Sequence, residues 1–196
     1  MEQTYGRLQP VPLERVVEAP DNHMIDLAGR PLRCLDTPGH AKHHLCVYDE
    51  RSNRCFSGDT FGLSYREFDT ANGPFVIPTT SPVQFDPAAL HASLHRLIAL
   101  QPEAIHLTHY GAVEQVEKLA DDLHRRIDAM VTLTRSAGEL PDRQAHLMEA
   151  LTDLYAEHAA AHGWAGSRAT LCELLGRDIE LNAQGLLVWL DRQARH

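Results

Sequence analysis

Polar and apolar positions alternate from His23 onward, and the alternation sets the first elements. The run MIDLAGRPLRCLD reads as two short strands about a turn at Ala28 to Arg30, with Thr37-Pro38-Gly39 closing the second. HLCVYDE (44–50) and NRCFSGD (53–59) predict another strand pair about a polar turn at 51–53. Periodicity then fades over 60–86, a stretch punctuated by Pro74, Pro78 and Pro82. A loop of this length in a compact domain usually has a function or covers something. At Asp86-Pro87 the period becomes helical. Aspartate suits the N-cap and proline the first helical position, and Leu90, Leu94, Leu97 and Ile98 form a stripe. AIHLTH (104–109) is a short apolar strand. Val113 to Ser136 predicts a long helix with Val116, Leu119, Leu123, Ile127, Met130 and Val131 on one face and Gly138 as its stop.

Helical periodicity fills the remainder. Asp142 to His162 forms one helix, with Leu147, Leu151, Leu154 and Tyr155 along its apolar face. Gly163 to Gly166 breaks it. Ser167 caps a short helix ending near Gly176, and Asn182 to Arg195 makes a last one. Three segments follow: a proline-rich connecting stretch at 1–22 with at most a short helix, an α/β part at 23–137, and a helical extension at 138–196. Four strands, a helix, a strand and a helix suit a layered sandwich with helices on one sheet face.

Composition narrows the partners. The net charge of −9 and the lack of a basic cluster disfavour nucleic acid. No run is long enough for a membrane span, and MEQTYGRLQPVPLER lacks the apolar core of a signal peptide, so the expectation is a cytoplasmic protein. Cys34, Cys46, Cys55 and Cys172 show no C-x-x-C spacing, and three lie in predicted strands, so free thiols are expected. Thirteen histidines is a rich count. Those on helices, His91, His95 and His124 among them, read as solvated faces. Those in glycine-flanked loops after strands invite chemistry.

His40 and Asp59 each follow a glycine at the end of an apolar run, and His109 ends a strand. Imidazole nitrogen and carboxylate oxygen suit zinc and similar divalent ions. Ligands on rigid strand ends can converge although distant in sequence. By spacing alone, ordinary loop residues with Asp59 capping a turn explain the pattern as well. The ordered set T-P-G-H, S-G-D-T and L-T-H-Y, however, resembles the second half of a metallo-β-lactamase-fold hydrolase. The resemblance implies an α/β fold: part of the αββα sandwich, its carboxy-terminal half, followed by an α-helical extension. It implies metal ligands at His40 (first metal), Asp59 (bridging) and His109 (second metal). It further implies up to two divalent ions, zinc by default with iron or manganese as alternatives, and hydrolysis of a small ester, thioester or lactone. The family's first motif, H-x-H-x-D-H, is absent, and with it the aspartate that usually manages the proton, so no catalytic residue of the chain's own is identified. The alternatives are a non-catalytic interaction module, or one half of a split enzyme whose complementary amino-terminal chain carries that motif. An uncovered sheet face would favour a homodimer or such a partner. His43, His44, Tyr65 and Tyr110 are candidates for substrate contact or for orienting the ligands.

Overall fold

The computed structural model describes residues 7, 9–80 and 83–195; Pro82 and nearly all of the first eight residues lie outside them. Six strands form one sheet in chain order: β1 (Met24–Leu27), β2 (Arg30–Asp36), β3 (Leu45–Asp49), β4 (Arg54–Gly58), β5 (Ala104–Leu107) and β6 (Ala112–Val113). Neighbours are antiparallel except β4 and β5. Those two run parallel, and α1 (Pro87–Ala99) is the crossover that parallel strands require. The expected first hairpin is present. Ala28 and Gly29 both take positive φ, 50° and 81°, matching the twist of a two-residue turn. Asp86 caps α1 as its sequence suggests, its Oδ1 accepting from the Ala89 N–H at 3.1 Å.

Three further helices follow: α2 (Val116–Gly138), α3 (Arg143–Ala161) and α4 (Arg168–Gln193). Three expectations are corrected here. Val113 belongs to β6 rather than to the long helix, which starts at Val116. Gly138 is not a left-handed stop but lies within the last turn of α2; a β-carbon there would come within 2.3 Å of the Leu190 side chain. The two expected terminal helices are one, 26 residues long. Gly176 has open space around it and costs a helix only about 1 kcal/mol. The buried stripe of Leu171, Leu175, Ile179, Ala183 and Leu186 continues past it and outweighs that cost.

One hydrophobic cluster runs through both the sheet and the helical extension. The aperiodic stretch 60–86 packs within it: Phe61, Phe68, Phe75, Val76 and Ile77 are all buried. The extension covers this stretch. The Trp164 indole N–H donates to the Glu67 carbonyl at 2.7 Å, and its ring lies 4.7 Å from that of Phe68. The opposite sheet face is different. Ile25, Leu45 and Phe56 point to it and are 42%, 42% and 48% exposed. Cys34, Cys46 and Cys55 are buried free thiols, and Cys172 is exposed. Among the described residues no helix is long and apolar enough to cross a membrane.

Candidate metal centre

Strand directions bring the three anchors together. β2 and β4 are both antiparallel to β3, and β5 is parallel to β4, so the three strands end at the same edge. His40 follows β2, Asp59 follows β4 and His109 follows β5. Two glycines shape the approach. Gly39, at φ 135°, lies against α1 so closely that a β-carbon would sit 2.4 Å from Leu90 Cα and N. Gly58, at φ 51°, follows a register shift between Phe56 and Gly58, and a β-carbon there would meet His44 Nε2 at 2.4 Å. Such irregularities re-aim a strand end beside functional sites.

Asp59 sits between two imidazoles. His40 Nε2 lies 3.6 Å from Oδ2 and His109 Nε2 lies 3.7 Å from Oδ1. The other nitrogen of His40, Nδ1, donates to the Thr79 carbonyl at 3.2 Å. That bond assigns the proton to Nδ1 and leaves Nε2 as a bare lone pair facing Asp59. Burial pushes the His40 imidazole below its ordinary pKa, opposed by Thr79 and by the Asp59 charge, which favours this neutral form. The Thr79 hydroxyl also donates to the Asp59 carbonyl at 3.2 Å, so one side chain braces both residues. On the other side the Asp59 N–H donates to His44 Nε2 at 3.1 Å. His44 Nδ1 then carries the proton and faces Thr60 Oγ1 at 2.9 Å.

This donor set fits divalent ions. Asp59 Oδ1 is buried and has no hydrogen-bond partner among the described residues. A buried carboxylate oxygen with no donor is electrostatically incomplete without a cation. Two ligands each about 2.1 Å from one ion lie about 3–3.7 Å apart, which matches both separations. Among the described residues no three such side chains are arranged to hold a single ion. Asp59 could share an ion with His40 on one side and with His109 on the other, at separations of 3.6 and 3.7 Å.

The remaining candidates divide. His44 joins the centre through the Asp59 backbone. His43 is exposed and bears on His40 only through its charge. The Tyr65 hydroxyl donates to Asp178 Oδ2 of α4 at 2.9 Å, and burial pushes its pKa up to about 12. The Tyr110 hydroxyl donates to Asp69 at 2.8 Å, under the Arg66 guanidinium. Tyr110 takes φ 138°, a conformation that costs an aromatic residue of order 1–3 kcal/mol, directly after His109. Sequence reasoning missed Thr79, which lies in an aperiodic loop and carries no signal there. It also missed Asn182, whose place on the buried stripe of α4 was the available sign, since a polar residue in a core position needs partners. The Asn182 side chain accepts from the Thr80 N–H at 2.9 Å and donates to the Pro78 carbonyl at 3.0 Å, gripping the loop on either side of Thr79.

A half-sandwich with metal-type donors at one sheet edge defines the class, and comparison with known proteins gives the fold its name. A metallo-beta-lactamase fold-containing protein of Sulfurisphaera tokodaii is 37% identical over 110 residues, covering 56% of this chain and 38% of its own length. The crystal structure of an archaeal metallo-beta-lactamase superfamily protein from Sulfolobus tokodaii matches with a TM-score of 0.52 and 32% identity, over 66% of this chain and 45% of that one. A metallo-beta-lactamase family protein from Thermus thermophilus matches at 0.57 and 19% identity, over 95% of this chain and 50% of that one, which shows the fold alone. No family model matches. The chain has part of the metallo-β-lactamase fold. It spans 38% of the length of the curated relative.

Proposed function

We propose that the chain supplies one half of the donor set of a metal-dependent hydrolase, with His40 and Asp59 on one divalent ion and Asp59 and His109 on a second. The observation that carries this reading is the Asp59 carboxylate, whose buried Oδ1 lacks a hydrogen-bond partner among the described residues while an imidazole faces each oxygen. Zinc suits imidazole and carboxylate, and iron or manganese would be held by the same atoms. When bound, such ions supply a Lewis acid and a water of lowered pKa. The chain's own residues do the positioning. Thr79 fixes the His40 tautomer and ties it to the Asp59 backbone, and His44 holds the Asp59 turn from the other side. The site is half open, with the His109 side chain 56% exposed, so a small ester, thioester or lactone can reach it.

H-x-H-x-D-H is not in this chain, so turnover draws the remaining ligands and the proton-managing aspartate from elsewhere in a complete fold. The exposed Ile25, Leu45 and Phe56 favour a complementary chain segment, or a second copy, over that face. A non-catalytic interaction module would use the same face without turnover. The test is metal content by elemental analysis after reconstitution with zinc or iron, in wild type and in His40→Ala, Asp59→Ala and His109→Ala. Each variant is expected to lose metal relative to wild type. Equal metal in wild type and Asp59→Ala, with both folded by circular dichroism, would refute the assignment.

A further inference from the structure

Charged side chains gather on one face of α2. Lys118, Asp122, Arg125 and Arg126 recur at helical spacing, with Ala129 a turn further on, so they share that face. His158, Ala161 and His162 do the same at the end of α3. Where the two faces meet, beside Asn72, they line an open cavity of about 390 Å³. Ala129 and Ala161 present only methyl groups to it, which leaves the space unfilled. Its walls are fixed. His162 Nε2 donates to the Gly73 carbonyl at 2.9 Å, and Asn72 Nδ2 donates to the His162 carbonyl at 2.9 Å.

Arg126 is the side chain in this lining that lacks a counter-ion. It is 5% exposed, with its guanidinium 4.2 Å from the centre of the Phe75 ring. Nη1 donates to the Val76 carbonyl at 2.7 Å. Nε is buried and has no hydrogen-bond partner among the described residues. The Asp122 carboxylate pairs with Arg125 and bears on Arg126 only through its charge. A buried cation without a paired anion is costly, and a chain of net charge −9 is rich in carboxylates that could have met it. Instead Lys118, Arg125 and Arg126 surround one carboxylate, so the lining carries a surplus of two positive charges. Burial lowers the His158 pKa, and the charge of Arg126 lowers it further, opposed by Glu157 and Asp122 and reinforced weakly by Arg125. An anion among these groups relieves that repulsion.

The size of the surplus selects the anion. A monocarboxylate neutralises half of it, whereas a phosphate monoester carries about −1.5 to −2 near pH 7 and matches it. Phosphate oxygens accept paired N–H bonds from a guanidinium, and a lysine adds a point charge. Small-molecule sites run to about 300–1,000 Å³, so a cavity of this volume leaves room for an organic group beside the phosphate. We propose that the cavity between α2 and α3 binds a small phosphorylated metabolite through its phosphate group, held by Arg126, Lys118 and Arg125. The site shares no residue with the Asp59 centre and does not depend on the reading of that centre.

The test is calorimetric titration of the metal-free full chain with glycerol 3-phosphate at fixed ionic strength, with inorganic phosphate and glycerol as comparisons. It is run in wild type, Lys118→Gln and Ala161→Glu. Both positions are exposed, so the substitutions do not endanger folding, which circular dichroism checks. Ala161→Glu sets a carboxylate in the cavity in place of the phosphate. Wild type is expected to bind one equivalent of glycerol 3-phosphate and no glycerol. Lys118→Gln is expected to weaken binding about tenfold, and Ala161→Glu more than about tenfold with no fall in Tm. Absence of glycerol 3-phosphate binding in wild type, or an affinity unchanged in either variant, would overturn the proposal. Binding of inorganic phosphate without glycerol 3-phosphate would overturn the ester and make the free ion the ligand.

Discussion

Asn182 is the residue through which the helical extension reaches the candidate centre, and Asn182→Ala measures that connection. The side chain is 2% exposed. Its Oδ1 accepts from the Thr80 N–H, and its Nδ2 donates to the Pro78 carbonyl and to the Tyr155 hydroxyl at 3.1 Å. Truncation leaves Thr80 N–H and Pro78 C=O buried without partners. Tyr155 keeps a contact with Met130 Sδ at 3.3 Å. Each stranded backbone group costs about 1–3 kcal/mol, so the loss is about 3 kcal/mol if water relieves part of it. For a chain of this size that corresponds to a fall in Tm of about 6–12 °C. Tyr155→Phe removes the hydrogen bond from Asn182 and the weak one to Met130 Sδ but strands no backbone group, costs about 1 kcal/mol, and serves as the comparison. Differential scanning calorimetry of the metal-free chains reads both. Zinc affinity, measured by chelator competition, is expected to fall about tenfold in Asn182→Ala, because Thr79 loses its anchor on both sides. A Tm drop no larger than that of Tyr155→Phe would refute the claim that this side chain holds the loop. A full Tm drop with unchanged zinc affinity would refute its connection to His40.

Gly58→Ala is expected to cost about 1–2 kcal/mol from the left-handed backbone, and to displace His44 from the Asp59 N–H; a Tm and zinc affinity equal to wild type would contradict this. In the metal-free chain His40, His124 and His158 all have pKa values lowered, chiefly by burial. The unfolded state therefore binds more protons just below the ordinary histidine value of 6.5, and stability falls as pH drops from there toward the folded values. Asp178, raised by burial, acts in the opposite sense in a window above 3.8. The expected outcome is a declining Tm between about pH 6.5 and 5, and a flat or rising profile would refute it. A thiol reagent is expected to label Cys172 quickly in the native chain and all four cysteines after denaturation. Rapid labelling of more than one native thiol would show that the sheet opens more readily than its packing implies.

What the sequence revealed was what local chemistry decides. The Ala28-Gly29 turn and the Asp86-Pro87 helix start depend on a few adjacent residues, and both form where expected. His40, Asp59 and His109 stood out because each ends a strand, two of them directly after a glycine, and the parallel sense of β2, β4 and β5 gathers them. The errors arose where packing outweighs propensity. Gly176 looked like a helix end, but the apolar stripe on either side of it is continuous and buried, and α4 runs through. β6 is two residues long, too short to leave a pattern, and it took Val113 from the predicted helix. Thr79 was invisible because its role depends on a loop that only tertiary contacts position.

The extension is more than a cap. Asn182 grips Pro78 and Thr80, and Asp178, one helical turn earlier, takes the Tyr65 hydroxyl. Two polar side chains of α4 thus hold the aperiodic stretch at two points, 65 and 78–80, on either side of its buried Phe68, Phe75, Val76 and Ile77. That stretch carries Thr79, and Thr79 sets both the tautomer of His40 and the backbone of Asp59. A rigid centre needs its ligands oriented by residues that are themselves locked. Here the locking residues come from the far end of the chain, so the half-site and the extension are one mechanical unit, and removing α4 would release the loop that orients His40.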